Sequence, residues 1–266
     1  MLIARLAVGA LPPSPLARVM TADEPLLEQD AVAPDFELKR LYGHAEEIRH
    51  YIDLEYFGPN PLAALDPDLA TMRRRYGYRT LQRSGTLPWT IESTASAVAA
   101  AWRADDCAQM IRRSGYLAHY VGDASQPLHS TRYYDGYPGD AGVHRRFEGA
   151  VDHDVREVEL AARPQVRAAK IDSVWAAEIA EIAAANTLVP EVIRSDRAAR
   201  AEAAGDSSTY DRALMRSEGA MIAGQIAAAS SALASIWLYE WTQAGSPAVC
   251  TGGSSGLRFG SNPAAS

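Results

Sequence analysis

The sequence predicts an all-α fold, a single-domain multi-helix bundle, on three observations. Long segments carry apolar residues at three- and four-residue spacing, the period of a helix with one buried face. No stretch alternates apolar and polar residues for more than a few positions, so half-buried strands find no support. Of 266 residues 47% are hydrophobic, enough for one well-buried core, and no internal repeat is present.

The elements follow in order. Beyond residue 40 almost everything reads as helix. Residues 92–121 are rich in Ala, Arg, Asp and Leu and contain no Pro, the composition of a long helix whose last turns deliver His119 and Asp123. Residues 132–142 (RYYDGYPGDAG) are dense in Gly, Asp, Tyr and Pro and read as a loop. The next helix spans 143–160, with His144 and Glu148 in its opening turns. Further helices are expected over 172–193 and 210–244. In the last, Ile222, Ile226, Leu233, Ile236 and Trp237 fall on one face. Pro247 and the Gly/Ser-rich TGGSSGLRFGSNPAAS predict a disordered tail over 246–266, leaving 1–245 as the folded domain.

Charge and cysteine usage exclude several classes. The formal charge is −7 with no Lys/Arg run, which argues against a dedicated nucleic-acid-binding protein and a stable nucleic-acid complex. Two cysteines, Cys107 and Cys250, exclude a disulfide framework and leave room for one bridge. No apolar run of membrane-spanning length stands out, so no transmembrane segment is expected.

The chemistry concentrates between His119 and Glu148, which hold His119, Asp123, His129, His144 and Glu148. His119 and Asp123 are four apart, as are His144 and Glu148, so on a helix each pair shares one face and can grip one ion. His129 follows Leu128 and Pro127, where a helix has just ended and the side chain can turn back to the same centre. One such pair alone is more often a surface contact. Two pairs bracketing a Pro-Leu-His, in a chain with six histidines, point to metal. Mixed imidazole and carboxylate donors suit a hydrolytic zinc site better than a structural one, and they are too many for a single tetrahedral ion.

The segment LAHYVGDASQPLH…GVHRRFEGAVD resembles the superfamily of zinc-dependent phospholipases C and single-strand-specific nucleases. Its pattern is H-x-x-x-D, then Q-P-[ML]-H, then G-x-H-x-x-[FY]-E, and every ligand position is filled here. Upstream, APDFELKRLYGHAEEIRHYID offers Asp35 and His50, fifteen apart as in the family. The likeness covers residues 30–155 closely. It implies that Asp35, His50, His119 and Asp123 hold a first zinc, and that His129, His144 and Glu148 hold a second. Asp123 would also bridge toward a third ion, and Asp35 would orient or deprotonate the attacking water. A phosphodiester is anionic and resists hydroxide. Clustered zinc meets both needs, lowering the pKa of water toward ~7 and clamping phosphoryl oxygens.

Family members begin at a Trp followed by a His, which complete the third site. Here no Trp or His precedes His44, and residues 2–10 read like the middle of the family's first helix. Either the given start lies inside a longer gene, the favoured reading, or this branch uses two ions. The resemblance also implies a secreted or periplasmic protein, although no signal peptide is recognisable in the chain as given.

Two substrates compete: a phospholipid head group, toward which Glu148 and the fifteen-residue His129–His144 spacing lean, and single-stranded nucleic acid. A non-catalytic zinc-binding protein with a decayed third site is the alternative of another class. A di-iron carboxylate bundle would need Glu-x-x-His pairs, and none occurs at these ligands. Asp35 after Ala-Pro has a rival reading as a helix cap, and His50 one as a partner of Asp53. His44 and His153 match no ligand position and are expected at the surface. Gly122 is expected to permit close helix approach, and Tyr133, Tyr134 and Tyr137 are candidates to line a cleft.

Overall fold

Helix starts in this chain are set by short polar side chains and prolines, which satisfy or remove the free N–H groups of a first turn. The computed structural model describes residues 1–248 and Cys250, and all regular structure among them is helical. α1 (Leu2–Ala10) leads into α2 (Pro15–Ala22), where the Ser14 hydroxyl accepts from Ala17 N, and α3 (Glu24–Asp30). A π-helical turn, Pro34–Leu38, runs directly into α4 (Lys39–Tyr42), and Gly43 turns the chain into α5 (His44–Glu47). Short elements α6 (Pro61–Ala64), α7 (Leu69–Tyr76) and α8 (Tyr78–Ser84) precede the central pair α9 (Leu87–Arg103) and α10 (Cys107–Ser125). Then follow α11 (Val143–His153), α12 (Val155–Ala162), α13 (Val174–Thr187), α14 (Val189–Ala203) and α15 (Ser207–Gln243).

Three expected helices are each two. The segment 92–121 starts earlier, in α9, and breaks at residues 104–106, where the Asp106 carboxylate caps α10 by accepting from Gln109 N at 3.0 Å. Helix 143–160 breaks at Asp154 and 172–193 at Leu188. Composition permits an uninterrupted helix in each case. The first break lets α10 fold back on α9, and the other two redirect the chain so that α11, α12, α13 and α14 each reach α15, a tertiary demand that propensity does not register.

α15 is the organising element, packing against α1, α9, α10, α12 and α14. Ile222, Leu233, Ile236 and Trp237 are buried as its spacing predicts, and Ile226 is half-buried. It corrects the expectation that no segment reaches membrane-spanning length. Among the described residues it alone is long and apolar enough, with mean hydropathy 1.5 over its best window, and 61% of that window is buried inside the fold. Its apolarity is accounted for by neighbours on several sides.

The first residues of the expected disordered tail are anchored. Cys250 forms a disulfide with Cys107 at the start of α10, and Trp241 Nε1 donates to the Pro247 carbonyl. The remainder of that tail, 249 and 251–266, lies outside the described residues. The bridge closes a separation of 143 residues, so Cys107→Ser is expected to lower stability by roughly 2–4 kcal/mol, read as a fall in denaturation midpoint that reducing agent reproduces in the parent chain.

Between α9, α13 and α15 lie acids with few partners. Both Glu178 carboxylate oxygens are buried without a hydrogen bond, and burial, with Glu92 nearby, holds its pKa well above the usual range. Glu240, also buried, is pushed to about 7 by burial and then by Glu92. Its folded-state pKa is raised, so its contribution is fully present below pH 4.5 and is lost as pH rises through 7. Glu240→Gln should therefore stabilise the protein at pH 8.5 by up to about 3 kcal/mol and match it near pH 4.5, by urea denaturation.

Candidate metal centre

Each predicted ligand reaches the centre from a different local device. α10 carries His119 and Asp123 one turn apart. It ends at Ser125 because Gln126 is extended and Pro127 opens a 3₁₀ turn, Pro127–Ser130, that swings His129 inward. α11 starts after Gly142, whose φ of +86° favours glycine, and presents His144 and Glu148 one turn apart. Asp35 comes from the π-helical turn and His50 from just beyond α5. All seven meet.

The donor atoms form two groups. In the first, His50 Nδ1 lies 3.0 Å from both His119 Nε2 and Asp123 Oδ2, and His119 Nε2 lies 3.4 Å from that same oxygen. Asp35 closes the group at 3.7 Å from each of the two imidazoles. In the second, His144 Nε2 lies 3.0 Å from His129 Nε2 and 2.9 Å from Glu148 Oε1, and His129 Nε2 is 3.4 Å from Glu148. A tetrahedral ion with ligand bonds of about 2.0–2.2 Å sets its ligands about 3.3–3.6 Å apart, close to these separations. Asp123 links the groups, its Oδ1 being 3.3 Å from His129 Nδ1.

The surrounding hydrogen bonds suit metal binding. His119 Nδ1 donates to the Ala31 carbonyl at 2.9 Å and His129 Nδ1 to the His50 carbonyl at 2.7 Å. A proton committed to Nδ1 leaves Nε2 of the neutral ring with a free lone pair facing the centre. Gly115 supports the first bond: a Cβ there would meet Asp30 at 2.5 Å, so its absence lets α3 and the Ala31 carbonyl approach α10. The charges are mutually tuned. Burial pulls the His129 imidazole down, but Asp123 and Glu148 outweigh it and carry it to about 9. Burial raises Glu148, and His129 and His144 overrule it and hold it far below the carboxylate range. Asp123 is likewise lowered against burial by His119, His129 and His50.

Neither rival reading describes the structure. Asp35 caps no helix and pairs with Lys39 at 2.6 Å, and His50 faces Asp123 and Glu46 rather than Asp53. His44 and His153 are exposed. Gly122 faces Ile3 of α1, whose Cδ1 would lie 3.0 Å from an added Cβ, and the Tyr134 ring sits 6.1 Å from His144. A further donor group, Asp105, Cys107 and Cys250, has both sulfurs in the disulfide.

The supporting roles of Glu46, Gln126, Asp196 and Asp140 escaped sequence reading. Glu46 is buried, accepts from the Tyr120 hydroxyl and from Arg49, and lies 3.6 Å from His50 Nε2, whose other nitrogen faces the centre. Its place four residues before His50 was the available signal, but the adjacent Glu47 obscured it. Gln126 donates to Glu148 at 3.0 Å while its carbonyl oxygen accepts from Leu128 N, so it ties the 3₁₀ turn to α11. Asp196 of α14, fully buried, accepts two bonds from Arg146 at 2.7 and 2.8 Å and one from Tyr210. Asp140 receives Arg197 in the same bidentate way, clamping the 132–142 loop to α14.

A cavity of about 380 Å³ adjoins both groups, lined by Asp35, His119 and Glu148 on one side and by Ile3, Phe147, Val151 and Met221 on another. A larger one, about 690 Å³, lies along the flank of α11 by Arg145, Arg200 and Tyr210 and contains none of the seven residues. No protein-family model and no curated protein matches the chain. The structure thus defines an all-α protein with residue groups able to hold metal ions.

Proposed function

We propose that the chain is a zinc-dependent hydrolase of phosphodiesters, related to the phospholipase C and single-strand nuclease superfamily that its motifs resemble. One observation carries the reading: two imidazole–carboxylate donor groups, joined through Asp123, open on a shared cavity. Asp35, His50, His119 and Asp123 would hold one zinc, and His129, His144 and Glu148 a second. Bound zinc supplies a nucleophilic water near neutral pH and neutralises phosphoryl charge.

The chain's own residues do the rest. Asp35, half-exposed and lining the cavity, would orient a water and take its proton. Glu46 sets a carboxylate 3.6 Å behind the His50 ring, and Gln126 holds Glu148 through a hydrogen bond. The cavity wall sets apolar residues such as Ile3, Val151, Met221 and Ile226 beside Asp35, Glu148 and Asp152 and carries no Lys or Arg to meet a polyanion, which favours a phospholipid over a nucleic acid. The nuclease reading draws on Arg132, 5.2 Å over the Tyr133 ring, with the Tyr137 ring tilted against the same tyrosine. The disulfide agrees with an oxidising compartment, so a secreted or periplasmic location is proposed with it.

The purified chain, reconstituted with zinc, should carry two equivalents by elemental analysis and cleave a soluble phosphodiester, with phosphatidylcholine preferred over single-stranded DNA. Less than one equivalent of metal would sink the reading. Two equivalents without cleavage of any of the three would hand the site to the non-catalytic alternative.

A further inference from the structure

The helical excursion beside Asp35 carries side chains that a free surface rarely exposes together. Phe36 is 73% exposed, Leu41 54% and Tyr42 62%. The segment is not loose: Pro34 is buried and Leu38 packs against the core, so the excursion is anchored with its apolar residues outward. The π-helical turn matters to this display. It closes Lys39 N onto the Pro34 carbonyl, carries Phe36 and leads directly into α4, which carries Leu41 and Tyr42.

We propose that Phe36, Leu41 and Tyr42 dock the protein onto a zwitterionic phospholipid surface, delivering lipid to the adjoining metal centre. The choice of a lipid partner rests on the phosphodiesterase reading of that centre. Three features select this occupant. The patch pairs exposed apolar side chains with a packed base at Pro34 and Leu38, which suits insertion into a soft interface, with a Tyr able to keep its hydroxyl at head-group level. Its charges cancel, Asp35 and Glu37 against Lys39 and Arg40, and Lys39 is already paired with Asp35, so no basic footprint for an anionic surface exists. A chain of formal charge −7 is repelled by polyanions but indifferent to zwitterions. Position completes the case. Phe36 follows Asp35 directly, and across the centre the exposed Tyr134 stands beside His144, so apolar side chains flank both donor groups.

The test is flotation of the zinc-loaded chain with phosphatidylcholine vesicles, beside phosphatidylglycerol vesicles, single-stranded DNA and sedimentation of the protein alone. The parent chain should float with phosphatidylcholine. Phe36→Ser and Leu41→Ser should each lower its partition about tenfold, since each removes an apolar side chain from the interface. Both substitutions are at exposed positions, so melting temperature and the rate on a soluble phosphodiester should hold within about threefold, while the rate on vesicles falls with binding. Variants that float like the parent overturn the proposal. So does a parent that binds only phosphatidylglycerol or DNA, or self-association that the same substitutions abolish. Flotation does not need catalysis, which separates the two failures. A chain that floats through these residues but cleaves nothing refutes the enzymatic reading alone, and one that cleaves the soluble substrate without floating refutes the docking surface alone.

Discussion

Asp123→Ala is expected to cost more zinc and more activity than any other single substitution in this chain. Its Oδ2 stands within 3.4 Å of the His50 and His119 nitrogens, and its Oδ1 within 3.3 Å of His129. Removing it takes a ligand from the first group and a negative charge from among three imidazoles, so both cations lose electrostatic stabilisation at once, a loss that outweighs the weaker proton competition at His50 and His129. His144→Ala, by contrast, removes a donor from the second group only and should leave the first ion in place. Zinc content after dialysis should therefore approach zero for Asp123→Ala and one equivalent for His144→Ala. The rate on a soluble phosphodiester should fall by at least roughly 10²–10³ for Asp123→Ala, the scale of losing an electrostatic stabiliser of the transition state. Full zinc occupancy in Asp123→Ala would show that the centre lies elsewhere.

Zinc removal should have the second large effect, on stability as well as rate. The donors come from the π-helical turn, the segment after α5, α10, the 3₁₀ turn and α11, so bound ions tie together elements that otherwise meet only by packing. At free zinc about a thousandfold above Kd, one site adds about 4 kcal/mol to the folded state. In a chain of this size that is roughly a 10 °C fall in Tm on chelation. Affinity should depend on pH in a set direction. His129 is carried to about 9 in the metal-free chain, so near pH 7 zinc must displace its proton. Apparent affinity at the second group should rise as pH rises from 6 toward 9, and proton release on binding should be measurable by calorimetry. A Tm unmoved by chelator would show that the centre does not brace the fold.

The fold class was legible in the sequence because helical periodicity is a local property: a buried face recurs every three or four residues whatever it packs against. The face of α15 at Ile222, Leu233, Ile236 and Trp237 needed no tertiary knowledge. Neither did the two ligand pairs on α10 and α11, since four residues on a helix place side chains on one side without further help. The places where helices break were not legible. Asp106, Asp154 and Leu188 interrupt segments whose composition would continue, because packing against α15 and α9 decides where the chain must turn.

Convergence belongs to the tertiary structure alone. Composition and spacing bring His119 beside Asp123, but only the fold carries Asp35 and His50 onto them from some seventy residues or more away. The same holds for what surrounds the ligands. The Ala31 and His50 carbonyls that set two imidazole tautomers, and Asp196 gripping Arg146, are long-range pairings with no local period to reveal them. The sequence by itself singled out the His and carboxylate side chains that could hold metal and the two helices that present them in pairs. Only the tertiary structure decided which donors share a centre and how they are held, because local periods record one element's faces and contact between distant elements leaves no period at all.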